Sequence, residues 1–456
     1  MSTYNFASLI TLGFLIFIIT FPFNVPIFAF HNLVKVNESV FNISSREVID
    51  DANYGACEAG DYLYLVGYRL LKHSVNGKSE IAPSGYIEMR LKSNGSLVKE
   101  AIIDKDIMLY DCIIVNDRLY AVSISWDILV LDLNLNLLSI VKRQAYSLGL
   151  VFSTTSYNNY LYIAGSGWRI EKWRIDDLVL VKEYVLKPDS RKYNAQDIGI
   201  NPATEQIWVI GEEVYYNSFR AEILDLDLNL LKVIGENVMP KASGPLFYVF
   251  IIFKEIVITF SEDGYVYIGG GQSIFKYDKD GNIVKLKMTS HWNNKLLYAN
   301  GHLYVAGEEF IEGYFRPVLY IYDRELNQID RIILSWDLNV RAPFLWGDMI
   351  FDGKSLYITG WEDRKGYWGW ILCTVPIVEG TSNITSENLK KPKCLIPSTS
   401  AESTMPLVWY IIGISLAVII ITLSFLWIKH KRTKLNKQLN RYVQLIYIFM
   451  FMFKIW

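Results

Sequence analysis

Residues 301–309 read GHLYVAGEE. Leu303 and Val305 alternate with Tyr304 and Ala306, the period of two of a half-buried strand, and Gly307 closes the run. Aliphatic and aromatic residues of this kind suit a pleated, half-buried surface. Nearly the same phrase stands at six other places. They are GDYLYLVG at 60, NDRLYAVS at 116, NNYLYIAG at 158, TEQIWVIG at 204, DGYVYIGG at 263 and GKSLYITG at 353. The anchoring aromatics are Tyr64, Tyr120, Tyr162, Trp208, Tyr267, Tyr304 and Tyr357. Their mean spacing is about 49 residues, a period that marks solenoids, propellers or arrays.

A second phrase follows the first. It is a strand, a polar turn and another short strand, as in YIEMRLKSNGSLVKE at 86, ILVLDLNLNLLSIV at 128 and IFKYDKDGNIVKLK at 274. Asn-Gly, Asp-Gly and Asp-Leu-Asn centres are hairpin signals. A short apolar stretch, such as DCIIV at 111, precedes each pair. Four strands per repeat make a propeller blade. No amphipathic helix interrupts residues 31–380, which excludes a parallel α/β sheet. The expectation is an all-β, seven-bladed propeller over 31–380. Its seventh repeat lacks an outer strand after GWILCTVP at 369. FHNLVKVN at 30 matches the outer-strand phrase, so residues 32–37 are expected to complete the last blade and remove its open edge.

The unit D-G-x-x-Y-V-x-G followed by L-x-x-x-G-x-L-V resembles the SBBP-type repeats of prokaryotic surface proteins. NPATEQIWVIG at 201 resembles the turn and strand of YVTN-type repeats. The resemblance spans roughly residues 55–380 and implies a propeller at a bacterial or archaeal cell surface. It implies no particular chemistry, because propellers host many unrelated activities.

The ends of the chain point to a membrane. Residues 1–30 carry no charged side chain, and their apolar run breaks at Pro22 and Pro26. This reads as a signal peptide, or alternatively a retained signal anchor. Residues 405–428 are uncharged and long enough to span a bilayer, and KHKRTKLNK follows directly. The positive-inside rule then puts the C-terminus in the cytoplasm and the propeller outside, at the cell membrane, with a single pass. Residues 381–404, rich in Ser, Thr and Pro, read as a stalk. Residues 429–456 form a basic tail with a short apolar end at 442–453.

The net charge is −2. Seven of the 45 basic residues lie beyond 428, which leaves 38 against 47 acidic residues outside, net −9. A nucleic-acid partner needs a basic face, so that class is excluded. Sequons at Asn37, Asn42, Asn94 and Asn383 fit a glycosylated exterior. Cys57, Cys112, Cys373 and Cys394 all lie outside the membrane, and an even number there suggests disulfides. Cys57 and Cys112 fall in the first strands of adjacent repeats, which favours their pairing. Cys373 and Cys394 would then tie the last blade to the stalk.

No catalytic or metal signature stands out. The histidines lack zinc spacing and no nucleophile elbow or phosphate loop is present. Acidic runs such as DLDLNL at 225 read as turn chemistry, and a structural calcium ion in those turns is the one cofactor left open. The inner loops are longest in repeats six, seven and one, which are neighbours in a closed ring. They carry Tyr314, Phe315, Arg316, Trp361, Arg364, Tyr367 and Trp368, the aromatics and arginines that dominate interaction hot spots. The leading function is therefore a tethered binding or adhesion module for an extracellular protein or glycan. The alternative is a surface enzyme (hydrolase, lyase or quinone-dependent dehydrogenase) with Glu308, Glu309, Glu362 and Asp363 as candidate acids at the channel mouth.

Overall fold

A computed structural model describes residues 48–395 except 76–77, 106, 144–148, 187–191, 214–217, 236–255, 313, 335–342, 345–346, 364–367 and 378–392. The expected leader, the closing segment 32–37, the membrane span 405–428 and the basic tail lie outside the described residues, as do Asn37, Asn42 and Asn383.

Every described element of regular length is a strand. The first repeat is β1 (Val48–Ala59), β2 (Tyr62–Val75), β3 (Lys78–Leu91) and β4 (Leu97–Lys105). The second is β5 (Leu109–Val115), β6 (Arg118–Ser123), β7 (Ile128–Asp132) and β8 (Leu137–Val141). The third is β9 (Val151–Tyr157), β10 (Tyr160–Gly165), β11 (Arg169–Arg174) and β12 (Val179–Val185). The fourth is β13 (Tyr193–Asn201), β14 (Gln206–Glu213), β15 (Ser218–Leu224) and β16 (Leu230–Ile234). The fifth and sixth repeats run through β17 (Val257–Phe260), β18 (Val266–Tyr277), β19 (Ile283–Ala299), β20 (His302–Ile311), β21 (Tyr314–Asp323) and β22 (Gln328–Ile333). The last comprises β23 (Pro343–Phe344), β24 (Met349–Phe351), β25 (Ser355–Asp363), β26 (Trp368–Pro376) and β27 (Lys393–Leu395).

These strands pair antiparallel in six sheets, so the propeller has six blades rather than the expected seven. The cause is local. β19 runs unbroken for 17 residues. Its first half pairs with β18, Met288 opposite Ser273, and its second half pairs with β20, Trp292 opposite Glu308. Between Ile283 and Ala299 there is no Gly, Pro or Asp, and Ser290, Asn293 and Asn294 stay within the strand. The outer strand of the fifth repeat thus flows into the inner strand of the sixth, and two repeats share one six-stranded blade.

The innermost strands contact one another in sequence order, β1 to β5, β9, β13, β17, β19 and β24, and β24 returns to β1. The ring is closed. Its seam is a small core of Ala56, Leu63 and Leu65 against Tyr357 and Leu372. On β26 the outer edge is occupied by β27, from within the stretch expected as stalk, with Cys394 opposite Cys373.

The repeated phrase now has a physical account. Its aromatic is buried at every copy, 0–3% exposed. Where it is tyrosine, the hydroxyl commonly donates to a carbonyl in the next repeat's polar turn. Tyr64 reaches Leu133, Tyr162 reaches Leu226, Tyr267 reaches Arg324, and Tyr357 reaches Lys92 across the seam. The outer-strand lysine does likewise, Lys99 to Asn134, Lys182 to Asn229, Lys232 to Asp280 and Lys285 to Glu325. In the turns, both carboxylate oxygens of Asp132, Asp225, Asp278 and Asp323 accept bonds from the asparagine four residues on. The acidic runs are turn chemistry, as their spacing predicts.

Gly307 does not end its strand, although Gly165 does end β10. β20 continues past Gly307 to Ile311. The glycine instead faces a β-bulge in the inner strand. A Cβ on Gly67, Gly211 or Gly307 would meet a backbone carbonyl oxygen at 1.9, 1.8 and 1.8 Å respectively. Only a residue without Cβ admits that approach.

Candidate functional site: the channel mouth and its hairpins

The bulges deliver two layers of side chains to the ring's interior. In β1, β5, β9, β13 and β19 the register shifts at Tyr54, Tyr110, Phe152, Gln196 and Asn294. By pairing register these five positions are equivalent: each lies opposite the step between the phrase glycine (Ser123 in the second repeat) and the residue before it. They form the upper layer. The next residue in each strand belongs to a lower layer, which includes Asp111, Ser153, Asp197 and Lys295, with Asp348 at the same level in the last repeat.

The lower layer is a hub. Each of its three aspartates accepts the following residue's amide through one oxygen, Cys112 on Asp111, Ile198 on Asp197 and Met349 on Asp348. The second oxygen bridges to the next repeat. Thr154 N donates to Asp111 at 2.6 Å, Ile258 N to Asp197 at 2.9 Å and Ala56 N to Asp348 at 3.4 Å. The last bond spans the seam. Burial pushes the Asp111 carboxyl up to about 7, with the Asp348 charge adding to it. Burial also raises Asp197 and Asp348, and the Lys295 charge opposes the rise in all three. The disulfide Cys57–Cys112 stitches β1 to β5 beside this hub, with Cα atoms 6.0 Å apart. Cys373 is disulfide-bonded too, and no described cysteine is free.

The upper layer is two-sided. On one side Tyr54 stacks on Tyr68 at 5.8 Å and on Tyr110 at 5.1 Å, and Phe152 meets Tyr110 edge-on at 6.0 Å. On the other side Gln196 donates to Glu212 and accepts from the Ile256 amide. Asn294 approaches Glu308 at 3.4 Å. Glu308 is 7% exposed, and burial pushes its carboxyl up to about 8.

Three hairpins extend from the repeats whose inner loops are long. The expected loops are largely strand: β2–β3 pairs out to Val75 and Lys78, β20–β21 to Ile311 and Tyr314, and β25–β26 to Asp363 and Trp368. At the tip of β20–β21, Phe310 and Phe315 pack edge to face at 5.3 Å while 63% and 40% exposed. Phe315 was expected there; Phe310 was not, although it stands in the same loop. Arg316 points inward, 3% exposed. Trp361 lies in β25 opposite Trp370, and Tyr314 and Trp368 sit in strands, their side chains outside the described residues. Arg364 and Tyr367 lie outside the described residues. Of the candidate acids, Glu309 accepts from Arg331 at 2.6 Å and Tyr320 at 2.7 Å, a paired structural role. Glu362 and Asp363 lie on β25. Asn94 is exposed in a turn, its side-chain oxygen accepting the Ser96 amide.

Sequence reasoning missed the upper layer. Its signal is the phrase glycine: Tyr54, Phe152 and Asn294 each stand 13 residues before Gly67, Gly165 and Gly307. No protein-family model matches the chain, and no curated protein matches it. The finer likeness to SBBP- and YVTN-type repeats therefore stands on the residues alone.

Proposed function

We propose that this chain is a membrane-tethered propeller displayed outside the cell, acting as a binding or adhesion module for an extracellular protein or glycan. One observation carries the reading: Phe310 and Phe315 form an exposed aromatic pair at the apex of an extended hairpin. Large apolar rings held this openly lose water on docking, and such anchors concentrate binding energy. The uncharged span 405–428, the basic flank after it and the sequons support the tether and the address. The fold is compatible with this role and with others.

The test uses the full chain in lipid nanodiscs on an array of extracellular proteins and glycans. Partners should be retained, and the double variant Phe310→Ser, Phe315→Ser should lose them by tenfold or more with its melting temperature unchanged. Array partners indifferent to the double variant, or none at all, overturn the site. Turnover of a small substrate, abolished in Glu308→Gln, would establish the enzymatic alternative instead.

A further inference from the structure

We propose that the channel mouth binds a neutral carbohydrate chain between the Tyr54–Tyr110–Phe152 arc and the Gln196, Asn294 and Glu308 side chains. The inference rests on the binding role above and assigns that role a second site and a ligand class.

The five bulges place Tyr54, Tyr110, Phe152, Gln196 and Asn294 in one layer, all half-buried, and Glu308 reaches it from β20 beside Asn294. A β-bulge re-aims one side chain at a cost in ladder hydrogen bonds. The same distortion recurs in five inner strands, and the re-aimed residues differ in kind from side to side. Tyr54, Tyr110 and Phe152 are aromatic; Gln196 and Asn294 are amides. A fold needing only a plug would repeat one apolar residue.

Charge narrows the ligand class. Among the described residues, three aspartates and one lysine lie beneath the layer. That balance disfavours an anion. A cation would seek open aromatic faces. Tyr54 is already stacked with both Tyr68 and Tyr110. The polar side offers neutral amides, and the Glu308 carboxyl is held largely protonated at neutral pH by burial. Amide and carboxylic acid groups donate and accept at once. So does each hydroxyl of a sugar, whose C–H faces suit aromatic edges and rings. A neutral polyol with apolar faces satisfies both sides of the layer.

The experiment measures calorimetric titration of the full chain in nanodiscs, free of sugar-based detergent. The probes are hexamers of glucose, mannose, galactose and N-acetylglucosamine, with hexagalacturonate as the anionic and hexaglucosamine as the cationic counterpart. At least one neutral hexamer should saturate the protein. Tyr110→Ala and Asn294→Ala should each weaken it about tenfold, and Leu138→Ser, an exposed outer-strand change, should leave it unchanged. Retention of the Cys57–Cys112 bond by mass and an unchanged circular dichroism spectrum verify that the variants fold; Tyr110→Phe serves as a second, milder variant if Tyr110→Ala does not. Preference for a charged hexamer, no saturation by any neutral one, or saturation unaltered by the folded mouth variants overturns the proposal. Because the array test reads the Phe310–Phe315 hairpin and this titration reads Tyr110 and Asn294, failure of this site and failure of the general binding role are separable.

Discussion

Tyr162 and Tyr304 occupy the same place in the phrase and are equally buried, yet their hydroxyls differ. Tyr162 donates to Leu226 at 3.0 Å, whereas the Tyr304 hydroxyl has no hydrogen-bond partner among the described residues. The next repeat around the ring is the last, whose strand β26 is not followed by the Asp-x-x-x-Asn turn that supplies the acceptor elsewhere. Removing one partner of a buried bond strands the other, at about 1–3 kcal/mol. Tyr162→Phe should therefore lower stability by about 1 kcal/mol, and Tyr304→Phe should leave it equal or higher, by urea titration. Equal losses at both positions would refute this account of the phrase. A second residue-scale consequence concerns pH. The Glu308 carboxyl lies at about 8 in the fold against the ordinary 4.5. A raised carboxyl favours the folded state while protonated, so its contribution is complete below about 4.5 and is lost as pH rises through 8. The turn aspartates, held low, act only below the ordinary carboxylate range. The melting temperature should thus rise between pH 8.5 and 5.5, and the rise should shrink in Glu308→Gln. The aromatic was legible in sequence as a buried anchor; the partner of its hydroxyl was not, because that partner sits on the neighbouring repeat.

At the scale of elements, the period of two and the turn residues were enough to find the strands. Asn116–Asp117, Asn158–Asn159 and Asn300–Gly301 all adopt positive φ, as two-residue hairpin turns require. Two features escaped. Repeats five and six fuse because β19 runs on through Ser290, Asn293 and Asn294 with no Gly, Pro or Asp to break it, and a count of phrases cannot register a missing break between them. The long inner loops are extended hairpins, since their residues pair across to the tips. The glycine was visible but misread as a terminator. Its true role gives a sharp test. Gly307→Ala puts a methyl 1.8 Å from the Trp292 carbonyl oxygen, and backbone cannot yield as a side chain does. The bulge must open, at about 3 kcal/mol, the upper end for overpacking. Because the bulge carries Asn294, carbohydrate affinity at the mouth should fall with it. A midpoint shift below about 0.5 kcal/mol would mean that the bulge is slack and does not position the mouth.

The described strands form a ring, and a ring is as strong as its weakest junction. Between the first and second repeats a broad core, with Val66, Ile87, Leu119 and Leu129 among its residues, is reinforced by Cys57–Cys112. The bond closes 55 residues of chain, which in the chain-entropy picture is worth about 4 kcal/mol. Among the described residues, no bond of that kind joins the first and last repeats at the seam, and Cys373 and Cys394 face each other within the last one. It relies on Ala56, Leu63, Leu65, Tyr357 and Leu372, the 3.4 Å contact of Ala56 N with Asp348, and the equally long Tyr357–Lys92 bond. Free energy of opening should therefore be lowest there, because local opening follows buried apolar contact. Native-state hydrogen exchange should find the Ala56, Tyr357 and Leu372 amides exchanging before those of Leu119, Leu129 and Ile163. Leu372→Ala, which truncates a fully buried side chain, should cost about 3 kcal/mol and accelerate seam exchange selectively. Reducing the disulfide should move the early opening to include β1 and β5 together, since β1 then loses its covalent tie to its other neighbour. Uniform protection around the ring, unchanged by Leu372→Ala, would mean that the propeller opens as one unit and that the seam is not its point of entry.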